Sequence, residues 1–221
     1  MNGDRPVSSG RSAFRATLAL AVFLAVWQAW CAISGVDPLV LPAPTEIADS
    51  LWSDRSLLAE ALLVTASELV LGIALALLVS LAAAFAIHLS SLLRSSVYPL
   101  LIASQTVPIP VVASLLVIWL GYDIGPKVAI VALVAFFPVV VATLEALASV
   151  DPELPRLVDS FGAGRLRRFR LVEAPAALPG ALAGMKIAVV ISVIGAVFAE
   201  QSGGDSGLGF VIQQALPQLL T

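Results

Sequence analysis

DPELPRLVDSFGAGRLRRFRLVEAPAALP, residues 151–179, is a polar island between two apolar runs long enough to cross a lipid bilayer. It holds Arg156, Arg165, Arg167, Arg168 and Arg170, a Gly-Ala-Gly turn at 162–164, and a closing stretch of alanines and prolines. The chain around it is 59% hydrophobic and only 12% charged, with a mean hydropathy of +1.00. Soluble domains carry about a quarter charged residues, so this composition excludes an ordinary water-soluble domain. Backbone in lipid must satisfy its own polar groups, and helices do so within one segment. The expected fold is an all-α polytopic membrane protein, and the polar island is a surface offered to something on the aqueous side.

Working outward, each apolar run is compared with the roughly 20 residues a spanning helix needs. Five qualify: residues 16–33, a run within 60–89, 97–120, 128–147 and 178–199. Residues 1–15 form an N-terminal tail, 16–221 a single transmembrane domain, and about 148–177 its central loop. The first run follows Arg5, Arg11 and Arg15 like a secretory leader, but it is too long for one and lacks a clean small-residue cleavage site. It reads as a retained span, and its lone Cys31 excludes an internal disulfide. Pro38, Pro42 and Pro44 then impose an extended linker, with a helix start at Thr45 or Asp49. Residues 90–96 form a short turn with Arg94. Pro108 and Pro110 interrupt the third span just after Gln105. Broken membrane helices survive where protein or a water-filled cavity satisfies the freed carbonyls. Gln105, Pro108, Pro110 and the later Glu200 are therefore candidate pathway-lining residues, although a plain proline kink and inter-helix hydrogen bonds account for them equally well. Residues 208–220 are too short, and too broken by Gln213, Gln214 and Pro217, to span comfortably.

Orientation follows from the excess of lysine and arginine on the cytoplasmic side of membrane proteins. With the N-terminus inside, nine of the twelve basic residues are cytoplasmic, Arg55 and Lys127 are outside, and Lys186 falls within the fifth span. The polar island is then cytoplasmic. Locally it reads as two short helices: Asp151 caps the first, Pro152 suits its opening turn, and Gly162 ends it. The second, 165–172, stops at Pro175. On these grounds alone the arginines serve either a docking partner or lipid phosphates and topology.

Other chemistries lack their signatures. There is no GxxxxGK[ST] phosphate loop, no HExxH and no GxSxG, and the single His88 has no evident partner. A carrier driven by an ion gradient would use ionisable residues within the membrane, here Glu68, Lys186 and Glu200, which are scattered. A structural membrane subunit would use Gly180 and Gly184 as a packing seam.

The polar island resembles the cytoplasmic loop of permease subunits of bacterial ATP-binding-cassette importers. Gly162 and Ala163 take that loop's glycine and following position, and Val172 and Pro175 its aliphatic and proline positions; Ala174 replaces the usual leucine. Arg156, Leu157 and Val158 stand where glutamate and two alanines are usual. LPAPTEI (41–47), DPEL (151–154), SFGAGR (160–165), PAALPG (175–180) and SGLGFVI (206–212) are similar to the nitrate, sulfonate, taurine and thiamine-precursor subgroup. The resemblance implies a multi-pass protein of the bacterial cytoplasmic (inner) membrane, paired with a second permease chain as a homodimer. It also implies an ATP-binding subunit in the cytoplasm and an extracytoplasmic solute-binding protein, with no nucleic acid. ATP and magnesium would be used by the partner ATPase, and this chain would bind no cofactor. The docking residues it implies are Asp159, Ser160, Phe161 as an apolar plug, Gly162 as the turn, Ala163, Gly164, Arg165, Arg168, Phe169 and Pro175. ALVAFFPVVVATLEAL (132–147) and IGAVFAE (194–200) look most like thiamine-precursor permeases, with sulfonate, taurine and nitrate as alternatives. Relatives of this kind continue into a sixth span, whereas Thr221 leaves five here and the C-terminus outside.

Overall fold

Small residues recur along the long apolar helices at intervals of three and four, and that pattern builds the bundle. The computed structural model describes residues 9–216 and is helical nearly throughout. The helices are α1 (Ser9–Ser34), α2 (Pro44–Ser53), α3 (Arg55–Leu89), α4 (Ser91–Ser104), α5 (Ile109–Leu120), α6 (Ile124–Ala148), α7 (Glu153–Ser160), α8 (Arg165–Arg168), α9 (Ala174–Gly203) and α10 (Leu208–Ala215). Ala13–Ser34, Arg55–Leu89, Ile124–Ala148 and Arg165–Gly203 are each long and apolar enough to cross a membrane. The pair α4 and α5, bent by 99° at its break, supplies a fifth crossing if taken as one span. The chain is thus a polytopic all-α membrane protein. The first eight residues of the expected N-terminal tail, Arg5 among them, lie outside the described residues, and helix already begins at Ser9.

Two compact units divide the chain, Met1–Ala59 and Glu60–Thr221. In the first, α2 starts at Pro44, one residue before the expected Thr45. Pro44 occupies its first turn, where a missing amide costs nothing, and the Glu46 carboxylate accepts the Ala43 N–H at 2.8 Å. Gln28 Oε1 accepts from the Thr45 amide at 3.2 Å, tying α1 to α2.

In the second unit, α3 buries Ala61, Thr65, Glu68, Gly72, Ala76, Ser80, Ala84 and Ile87, one stripe of mostly small residues. Helices associate in lipid through close van der Waals approach, which small side chains permit. Ala76 packs with Ala132, Ala135 and Val139 of α6 and Ala188 of α9, and Ala84 and Ile87 pack with Val140 and Leu144 of α6. The expected Gly180–Gly184 seam is present: Gly180 faces Ala146, and Gly184 faces Ala142 and the Pro138 carbonyl, all of α6. Pro138 disturbs α6 at mid-length, and the Ser80 hydroxyl donates to the Phe136 carbonyl there at 3.1 Å.

Three local expectations shift. Residues 91–96 are the first turns of α4, capped by Ser90 Oγ accepting the Leu93 N–H at 3.3 Å, and are not a turn. Lys127 lies in the first turn of α6 and is buried, not in an exposed loop. The helix beginning at Arg165 does not stop at Pro175. A π turn at Phe169–Glu173 widens the spiral just before that proline, so the missing amide is accommodated and helix runs on into α9.

Candidate functional site

The polar island folds much as its residues dictate. The Asp151 carboxylate accepts the Glu153 N–H at 2.9 Å and so opens α7. At its other end Gly162 adopts φ +77°, and its N–H donates to the Asp159 carbonyl at 2.9 Å. Side chains with a Cβ rarely adopt this left-handed conformation, so the turn demands glycine. Ser160 turns its hydroxyl back to the Leu157 carbonyl at 2.6 Å, Ala163 is half-buried, and Gly164 is extended ahead of Arg165. Leu154, Leu157 and Phe161 fall at helical spacing and are all exposed, Phe161 by 81%. Arg156 on the same helix, and Arg165 and Arg167 on α8, are exposed as well. An exposed apolar stripe on a segment rich in arginine is a candidate interaction surface.

A chain of charged contacts fastens this surface to the bundle. Arg168 Nη1 donates to Asp159 Oδ2 at 2.9 Å, and Arg168 Nε pairs with Glu173 Oε1 at 3.1 Å. Glu173 Oε2 lies 2.8 Å from His88 Nε2 near the end of α3. Phe169 meets Phe85 edge-on with ring centroids 4.8 Å apart, and Arg165 Nη1 donates to the terminal Leu89 carbonyl at 3.0 Å. That last bond fills one of the carbonyls a helix end leaves open. Asp159, Arg165, Arg168 and Phe169, expected as docking residues, are thus partly committed to holding the segment in place. Phe161 remains free and Pro175 is exposed as the second residue of α9. Sequence reasoning missed Glu173 and left His88 unpaired. The available signal was shared membrane depth: positive-inside alternation already placed the end of α3 and the arginine-rich segment on one face.

At the opposite end of the bundle sits a buried ionic cluster. Lys127 Nζ approaches Glu68 Oε1 at 3.2 Å, both side chains almost wholly buried, and exposed Asp205 at 3.8 Å. The Lys127–Glu68 contact is an ion pair without hydrogen-bond alignment, so neither Glu68 oxygen has a hydrogen-bond donor among the described residues. Glu200 is fully buried. Thr65 Oγ1 donates to Glu200 Oε1 at 2.6 Å and accepts the Leu208 N–H at 3.0 Å, while the Gly209 N–H donates to Glu200 Oε2 at 2.5 Å. A Cβ at Gly207 or Gly209 would run into the Glu200 carboxylate, which accounts for the Gly-Leu-Gly of the SGLGF segment. Outside the spans, the Ser206 hydroxyl at 3.0 Å, with Lys127 beyond it, holds the Asp205 carboxyl below the usual carboxylate range.

The other candidate pathway residues are separate from Glu200. Gln105 lines a cavity of about 310 Å³ with Ser104, Val107, Phe137, Pro138 and Ile191, between the α4–α5 break and the α6–α9 pair. Pro108 and Pro110 flank Ile109, a further lining residue, at the start of α5.

Residues 69–219 match the family model described as the binding-protein-dependent transport system inner membrane component. The formylaminopyrimidine transport permease of Halalkalibacterium halodurans is 32% identical over 207 residues, covering 93% of this chain and 82% of that one. The riboflavin transport system permease of Chloroflexus aurantiacus is 34% identical over 198 residues, with 89% and 74% covered. The taurine transport system permease of Escherichia coli is 29% identical over 204 residues, again with 89% and 74% covered. Multiple apolar helices, an arginine-rich segment between two of them and these matches agree: the chain belongs to the inner-membrane components of binding-protein-dependent transport systems, as a permease subunit of an ATP-binding-cassette importer of small solutes.

Proposed function

We propose that two copies of this permease enclose a solute path across the bacterial inner membrane, N-termini in the cytoplasm, and that residues 159–165 receive an ATP-binding subunit there. The observation that carries this reading is Phe161, an exposed aromatic at the tip of a fastened turn. It enters an apolar pocket of the ATPase, and Arg156, Arg165 and Arg167 meet its acidic rim. ATP and magnesium act in that partner, and this chain binds no cofactor. A binding protein delivers the solute on the outer side, where the Glu200 cluster holds the 204–209 turn in place. The solute is a small polar compound of the kind named for the relatives, a formylaminopyrimidine or a sulfonate. The α4–α5 break, with Gln105, Pro108 and Pro110, borders the path. Movement of the docked segment reaches the bundle by two routes: helix runs from Arg165 to Gly203, with the π turn and Pro179 as its soft points, and the Asp159–Arg168–Glu173–His88 chain links the segment to α3.

The direct test is co-purification of the tagged permease with its ATP-binding subunit. Phe161→Asp puts a charge on a solvent-exposed side chain, so the permease still folds, and capture of the ATPase falls at least tenfold. Undiminished capture means that the subunit docks elsewhere. Arg168→Met has a different expected result: the ATPase is still captured, but solute moved per ATP hydrolysed in proteoliposomes drops severalfold. An unchanged ratio would remove the Arg168 chain from the relay.

A further inference from the structure

Lys186 is the charged residue that the fold leaves unexplained. It lies on α9 thirteen residues after Glu173 and fourteen before Glu200, which is roughly 20 Å from either at the helical rise. Both neighbours mark the polar ends of the span, so Lys186 sits near the bilayer midplane. Its side chain is exposed and forms no ion pair among the described residues. The α9 face that packs in the bundle carries Gly184, Ala188, Ser192 and Ala196, and Lys186 is on the other side of the helix with Leu182, Val190 and Val193. A lysine stem is too short to carry its ammonium from the midplane to either interface. Facing hydrocarbon there is costly, and ionisable residues at such depth instead face a water-filled cavity or a partner.

A dry partner does not answer. A second copy of this chain brings no free carboxylate to this depth, because no acid among the described residues lies at mid-span: Glu68 is buried against Lys127 at the end of the bundle that also holds Glu200. Packed about a two-fold axis along the membrane normal, the second copy brings its own Lys186 to the same level. Two ammonium groups facing each other require water and a counter-charge between them.

We propose that Lys186 faces the solute path and, with its counterpart in the second copy, forms an anion-selective station at mid-membrane. The transported solute therefore carries a sulfonate, carboxylate or phosphate group. This rests on the dimeric permease reading given above, and narrows its solute to the anionic class.

Cys31 is the sole cysteine, so Cys31→Ser gives a background free of thiols. Val190 lies one turn from Lys186 and is 70% exposed, which makes Val190→Cys a reporter on the same face. The full complex with its ATP-binding subunit, in liposomes, is treated with an anionic sulfonatoethyl or a cationic trimethylammonioethyl methanethiosulfonate, neither of which enters lipid. Rates are normalised to Asp205→Cys, on the exposed loop. The expected result is modification of Val190→Cys with the anion favoured about tenfold. That preference is lost in Lys186→Met and kept in Lys186→Arg. An unreactive Val190→Cys in an intact complex, or an anion preference that survives Lys186→Met, overturns the station while leaving the permease reading in place. Loss of the ATP-binding subunit from the unmutated complex overturns both.

Discussion

Gly184→Leu abolishes the folded permease: the protein no longer elutes as a monodisperse species from detergent, and its thermal transition disappears. Even one added carbon at this site would lie 2.5 Å from the Ala142 Cβ and 2.8 Å from the Pro138 carbonyl oxygen, a backbone atom that cannot turn aside. The α6–α9 pair is the main helix contact of the second unit, so forcing it apart also opens the Ala76–Ala135–Ala188 cluster against α3. Two effects oppose each other in the milder Gly184→Ala. Helix propensity favours alanine over glycine by about 1 kcal/mol, whereas overpacking costs roughly 1–3 kcal/mol. With backbone as the obstacle overpacking wins, and Gly184→Ala is destabilised. Gly125, in α6 with open space around it, isolates the first effect: Gly125→Ala is neutral or slightly stabilised. A monodisperse Gly184→Leu protein of normal thermal stability would mean that α6 and α9 do not pack along this seam.

What was legible in the sequence was local in origin. The Asp151 cap, the Gly162 turn, the start of α2 at the third of three prolines and the break at Pro108 and Pro110 each follow from the conformations of a few adjacent residues. The alternation of basic residues also ordered the spans without any tertiary information. The misreadings came from two sources. Pro175 looked like a stop because a proline removes an amide. The π turn that absorbs the loss is a compensation among the five residues before it, and it leaves no compositional mark. The ionic partnerships were invisible for another reason: His88 meets Glu173 across 85 positions, and Thr65 meets Glu200 across 135. Lys127 was assigned to the solvent because a lysine beside Gly-Tyr-Asp-Ile-Gly-Pro reads as a loop cation. Glu68, from another helix, is the buried partner that makes its burial tolerable.

That burial sets the second large expected effect. Lys127→Met lowers the midpoint of thermal unfolding by roughly 10 °C, since removing one partner of a buried ion pair costs about 3–5 kcal/mol. The loss comes less from the 3.2 Å attraction than from what remains: Glu68, buried and without a hydrogen-bond donor, beside a fully buried Glu200. The charge on Asp205 cannot compensate, being of the same sign as both and 87% exposed. If the remaining carboxylate is the cause, deleting it restores stability. Lys127→Met combined with Glu68→Gln should recover most of the lost midpoint, while Glu68→Gln alone costs less than Lys127→Met, because Lys127 keeps Asp205 within 3.8 Å. A double-mutant cycle over these variants should therefore give a coupling of at least about 1.5 kcal/mol, within the range found for residues in contact. Additive effects would show that Lys127 and Glu68 do not sense each other. The stability lost on removing Lys127 would then have to come from packing alone. The cluster would no longer account for a lysine and two glutamates, Glu68 and Glu200, sharing one buried end of the bundle.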